Sequence, residues 1–154
     1  MIRLALLASG LSLAAASAGC LGPPIGEHPL AVGPLDEFEA QVQPLLEQEC
    51  AQGGCHGRPD RPFVLYAAGA YRADPERTHL SEPLSFEETE MNAWRLAALA
   101  VPDDPRSSLS LLKPLAIEGG GIHHGGGDVF PDPDDPRYQV LLHWLEQCVP
   151  AGAP

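Results

Sequence analysis

Residues 35–57 read LDEFEAQVQPLLEQECAQGGCHG, and the order of side chains in this stretch decides the architecture around it. Leu35, Phe38, Val42, Leu45 and Leu46 recur at helical spacing, while Asp36, Glu37 and Glu39 crowd the start, where the positive end of a helix dipole favours anions. A helix over residues 35–49 follows. Pro44 is expected to kink it or split it in two, because proline lacks a backbone donor and crowds the preceding turn. Directly after the helix come Cys50, Cys55 and His56, two thiols separated by four residues and an imidazole adjoining the second. Gly53 and Gly54 are the residues expected to let that insert fold tightly.

Downstream, Ser85 and Glu88 form a capping-box pattern ahead of Met91, Trp94, Leu96, Ala97 and Leu99, which predicts a helix over residues 86–100 that Pro102 stops. Met91 is expected to fill core space there. A short helical turn is expected over residues 108–112, closed by Pro114. The last helix reads most plainly, with Asp135 as cap, Pro136 in the first turn, and Tyr138, Leu141, Leu142 and Leu145 on one face up to Cys148. Alternating strand patterns of useful length are missing. The predicted fold class is therefore mainly α, one small helical domain whose 16 Gly and 17 Pro lengthen the loops between helices.

At the other end, Arg3 precedes an apolar run from Leu4 to Ala16 and a small-residue stretch ending at Cys20, the pattern of a secretory signal peptide. Ser17-Ala18-Gly19-Cys20 resembles a bacterial lipobox, in which the cysteine is lipidated and becomes the first mature residue. Ordinary cleavage after Ala16-Ser17-Ala18 is the competing reading. The expected organisation is a lipoprotein-type signal peptide at 1–19, a Gly/Pro-rich tether at 20–34, the domain at 35–149 and a short tail at 150–154. This places the domain in the periplasm or at the cell surface, anchored to a membrane only through a lipid on Cys20.

The formal charge is −12; without Arg3 the mature chain holds 8 Lys plus Arg against 21 Asp plus Glu, or −13. Basic residues stand singly among acidic ones, which excludes a nucleic-acid partner, since phosphate binding needs them clustered. An acidic surface suits a protein partner carrying basic groups.

The chemistry concentrates at residues 50–56. Two thiols can form thioethers to porphyrin vinyl groups, and the adjoining imidazole is then held against the iron as proximal ligand, so Cys50, Cys55 and His56 are read as an attachment site for one covalent haem c. A Cys50–Cys55 disulfide, pairing of either with Cys148, and a structural zinc on Cys50, Cys55, His56 and a distant donor are the alternatives. They define a haem-free lipoprotein acting as a binding module. For a second iron ligand the candidates are His124 and His123, which lie in the glycine-rich run 119–127, and Met91, whose helical setting argues against it. Arg58 and Arg61 are candidates to pair with haem propionates. Asp128, Asp132, Asp134 and Asp135 lack the ordered alternation of a calcium loop and read as a solvated turn. No nucleophile and base stand together in a recognisable motif, so an enzyme is not expected.

Phe38 to Gly57, with Val42, Pro44-Leu45-Leu46, Cys50 and Cys55-His56-Gly57, resembles the cytochrome-c-like domains of planctomycete and myxobacterial secreted proteins. Ser107-Ser108-Leu109, Lys113-Pro114-Leu115, His124-Gly125-Gly126-Gly127 and Tyr138 to Leu145 resemble the same group's C-terminal half. The resemblance implies a cytochrome-c-like helical fold, haem bound to Cys50 and Cys55, and axial ligation by His56; the His-Gly-Gly-Gly match makes His124 the preferred second ligand. A redox protein partner in electron transfer is the function this implies. The cysteine spacing of four residues, in place of the usual two, is a variant seen in some multihaem cytochromes; departures from the resemblance are Cys148 and the tail Val149 to Pro154.

Overall fold

The computed structural model describes residues 31–149. The signal segment, Cys20, most of the tether and the tail lie outside them. The first helix, α1, is one unbroken run made of Leu35–Glu37, a π-helical turn Phe38–Val42, and Gln43–Glu49. Pro44 therefore does not split it in two; the irregularity at this point is the π-helical turn that ends just before Pro44. The Gln43 N–H reaches back to the Phe38 carbonyl in the wider π register, and the missing N–H of Pro44 falls where the register returns to α.

Helix α2 spans Phe86–Ala97, α3 Leu109–Leu112 and α4 Pro136–Glu146, with short 3-10 turns between them. Ser85 and Glu88 form the full capping box that the sequence predicts. Helix α2 ends three residues earlier than expected because Leu99 and Ala100 tighten into turns onto Leu96 and Ala97. The one β interaction among the described residues is an isolated parallel bridge between Leu115 and Phe130, so the domain is mainly α.

Helices α1 and α4 run antiparallel. The start of α1 meets the end of α4, where Gln147 donates to Glu37 and the Phe38 ring lies 5.0 Å from Trp144. The end of α1 meets the start of α4, where Arg137 donates to Glu49 at 3.0 Å. The packed body begins before the expected boundary at Leu35. Val32 packs against the core, Trp144 Nε1 donates to the Pro34 carbonyl, and a Cβ on Gly33 would stand 2.9 Å from the Trp144 ring. The end of the predicted tether is thus laid flat on α4.

Helix α2 turns polar side chains inward. Glu88, Thr89 and Asn92 are buried beside Ala93, Leu96 and Ala97, while Met91 is 45% and Trp94 42% exposed. Met91 is accordingly a surface residue and not the core filler expected. Buried polar groups need partners, and these have them. Asn92 donates to Gln43 and to the Tyr66 carbonyl and accepts from the Tyr66 N–H. Arg72, fully buried, meets Glu88 at 2.6 Å and donates to the Glu82 and Pro83 carbonyls.

Removing Arg72 strands a buried carboxylate, so Arg72→Met is expected to cost about 3–5 kcal/mol, read as a lower urea midpoint at pH 7. Burial acts to raise the Glu88 carboxyl, but Arg72 and the backbone N–H groups of Ser85 and Ala73 outweigh it and hold it at about 2, against an ordinary 4.5. The unfolded chain therefore binds the extra proton. The stabilisation is complete above the unfolded value and is lost as pH falls from about 4.5 through about 2. Glu88→Gln should flatten that part of the acid-stability curve; an unchanged curve would contradict the assignment.

Candidate haem site

The chain leaves α1 into a closed turn. Cys50 and Ala51 N–H groups both return to Leu46, Cys55 and Gly57 bond to the Gln52 carbonyl, and the His56 N–H donates to Cys50 at 3.0 Å. The Gln52 side chain donates to the Glu47 and Gln48 carbonyls at the helix end, and Arg61 donates to the Gly54 and Cys55 carbonyls. Gly53 and Gly54 have open space and no left-handed backbone, so they are not what lets the insert fold. That property belongs to Gly57, where a Cβ would fall 1.9 Å from the Ala51 carbonyl oxygen.

The other loop is built similarly. Gly120 takes a left-handed φ of 98°, a Cβ on Gly121 would meet the Leu115 carbonyl at 1.9 Å, and Ile122 donates to Leu112. Val129 and Phe130 donate to Pro114, so the loop carrying His123 and His124 is tied at both ends.

Between these two loops lies a cavity of about 300 Å³ with mainly apolar walls from Leu46, Phe63, Leu96, Leu99, Val129 and Leu141. Cys50, Cys55, His56 and His124, the four residues preferred from the sequence, line it. The rings of His56 and His124 are parallel within 8°, with centroids 6.0 Å apart. His56 Nδ1 lies 2.8 Å from the Phe63 carbonyl and His124 Nδ1 lies 2.9 Å from the Gly127 carbonyl. A carbonyl only accepts, so each Nδ1 carries a proton, and in the neutral tautomer that this selects the lone pair lies on Nε2. Burial is the main cause that lowers the His56 pKa, which favours that neutral form.

Burial, reinforced by Glu49 and Cys55, pushes the Cys50 thiol up to about 12. It is a neutral thiol at neutral pH and not an activated nucleophile. Cys50, Cys55 and Cys148 are all free, and Cys148, two residues past the end of α4, is buried and donates to the Trp144 carbonyl outside the cavity. Among the described residues, no three His, Cys, Asp or Glu side chains group into a metal-binding set.

Other candidates are placed elsewhere. Met91 does not line the cavity, and His123 is exposed, accepting through its carbonyl from Lys113. Arg58 pairs with Asp60 and Arg61 is spent on the turn carbonyls; neither reaches the cavity, which corrects their expected role beside propionates. Asp132 and Asp135 accept from backbone N–H groups two residues on, Asp135 as the cap of α4. Sequence reasoning missed the two carbonyls that orient the imidazoles, for which no side-chain pattern signals. It also missed Ser110 and Lys113, which line the same cavity.

Comparison with protein-family models, with curated proteins and with solved structures finds no match to this chain.

Because the turn depends on Gly57, Gly57→Ala should destabilise the protein by about 1–3 kcal/mol through forced backbone displacement, while Gly53→Ala and Gly54→Ala should leave the thermal midpoint nearly unchanged. Equal effects at all three positions would show that the turn is not held as described.

Proposed function

We propose that this chain is a single-haem cytochrome-c-like domain working in electron transfer outside the cytoplasm, with haem c bound covalently to Cys50 and Cys55 and ligated by His56 and His124. The observation that carries the reading is the pairing of the two imidazoles. His56 and His124, brought to one apolar cavity from two separate loops, are the two residues that would hold the iron. The rings of His56 and His124 are separated by 6.0 Å. Both keep Nε2 as the lone-pair nitrogen through a backbone carbonyl on Nδ1, the arrangement that fixes metal-ligating histidines.

The donor set fits the group in other respects. Cys50 and Cys55 line the wall that holds His56, so the two sulfurs would hold the haem through thioether bonds to its two vinyl groups. When bound, haem supplies one-electron redox chemistry. The protein's own residues orient the two imidazoles and exclude water with an apolar wall, and His56 and His124 together would give the iron two protein ligands. That leaves no coordination site for a substrate, which favours electron transfer over catalysis. Two imidazoles also favour a lower potential than a histidine–methionine pair in a similar setting. The proposed partner is a redox protein, and the acidic chain, at −12, suits a basic docking face. The proposed anchor is a lipid on Cys20; no helix of the described residues is long and apolar enough to cross a membrane.

Produced with export and haem-attachment machinery, the protein should be red and should keep its colour after denaturation. His124→Ala should retain the haem through Cys50 and Cys55 but shift the spectrum from low-spin to high-spin, and Met91→Leu should leave it unaltered. A colourless, correctly exported protein would overturn the proposal, and a spectral change on losing Met91 with none on losing His124 would overturn the ligand assignment.

For the anchor, Cys20→Ala should move the protein from the membrane to the soluble periplasmic or extracellular fraction. Retention in the membrane at unchanged yield would rule out lipidation at Cys20.

A further inference from the structure

Most polar groups in the cavity wall are accounted for. Glu49 is held by Arg137 at 3.0 Å, the two imidazoles are pinned by carbonyls, and the two thiols belong to attachment. Ser110 and Lys113 remain. Ser110 Oγ is buried without a hydrogen-bond partner among the described residues, although a buried hydroxyl left unpaired is costly. Lys113 is the chain's single lysine and, among the described residues, the one Lys or Arg lining the cavity; the one partner of its Nζ among those residues is the His123 carbonyl, at a long 3.5 Å. The two residues are three apart across α3 and its C-cap, which sets their side chains on one face.

We propose that Ser110 and Lys113 form a carboxylate-binding edge of this cavity and take a propionate of the haem, an inference that rests on the haem reading above. A hydroxyl donor and an ammonium donor on the wall of one cavity suit the two acceptor oxygens of one carboxylate, with the hydrogen bonds strengthened by charge. A neutral acceptor would satisfy Ser110 but gain nothing from Lys113, whose exposed ammonium stands at the margin of the wall. The surrounding wall is apolar and the protein acidic, so an anion entering here depends on Lys113. The arrangement suits a ligand with a large apolar body and an acid at its margin. It also replaces Arg58 and Arg61, which are engaged elsewhere.

The test uses the full chain produced without haem-attachment machinery, titrated with ferric protoporphyrin IX and with its dimethyl ester. The wild type is expected to prefer the diacid by about 10- to 100-fold, the equivalent of one charge-assisted hydrogen bond. Ser110→Ala and Lys113→Met should each shrink that preference, and the double variant should abolish it, with ester affinity unchanged. Lys113→Arg should retain it. A wild type that binds diacid and ester equally, or a double variant that still prefers the diacid, overturns the carboxylate edge and leaves the haem reading standing. A colourless protein from the export experiment overturns both.

Discussion

Arg137 is the residue through which the two halves of the site are joined. From the first turn of α4 its guanidinium reaches Glu49 at the end of α1, Asp135 at the α4 cap, and the Val129 carbonyl just past the loop carrying His124. Glu49 immediately precedes Cys50, so one side chain fixes the exit of the first cysteine turn and the return of the second histidine loop. Arg137 is 41% exposed, and solvent screening limits what these ion pairs add to stability. Their contribution is positional. Hydrogen bonding to Arg137 also keeps the Asp135 carboxyl below its usual range, which keeps the helix cap charged.

Around that clamp, the interior is divided between two kinds of packing. The α1–α4 pair is held by apolar and aromatic contact, with Phe38 and Trp144 fully buried. The α2 side is held by directional polar contacts, with Arg72 on Glu88 and Asn92 bridging Gln43 to the Tyr66 backbone. Such contacts tolerate few alternative registers, because displacing them leaves buried groups unpaired. This fixes α2, and with it Leu96, as a wall of the cavity.

The loops are ordered by close backbone approach and not by length. Gly57 and Gly121 let the chain pass within a distance that a methyl group would block, and each lies within three residues of a proposed iron ligand, Gly57 beside His56 and Gly121 three before His124. A long Gly-rich loop is usually read as freedom; here its ends are bonded to Leu112 and Pro114, and its one cavity-lining histidine is held by Gly127.

The helices, their caps and Cys50, Cys55 and His56 were legible in the chain because they depend on local spacing: apolar residues on one helix face, Ser85 with Glu88, Asp135 before Pro136, and a histidine adjoining a cysteine; His124 was singled out by its glycine-rich run and its His-Gly-Gly-Gly resemblance. What spacing does not encode is which side of α2 faces inward. Its apolar residues Met91 and Trp94 lie outside because Arg72, fourteen residues before the helix starts, supplies the counter-charge that lets Glu88 be buried instead. Nor does local order show that Arg58 and Arg61 are engaged outside the cavity, that Gly57 and not Gly53 closes the turn, or that His124, sixty-eight residues from His56, comes to 6.0 Å from it. Each of these is a contact between groups far apart in the chain or between backbone atoms that carry no residue signature, and only packing the whole domain brings them together.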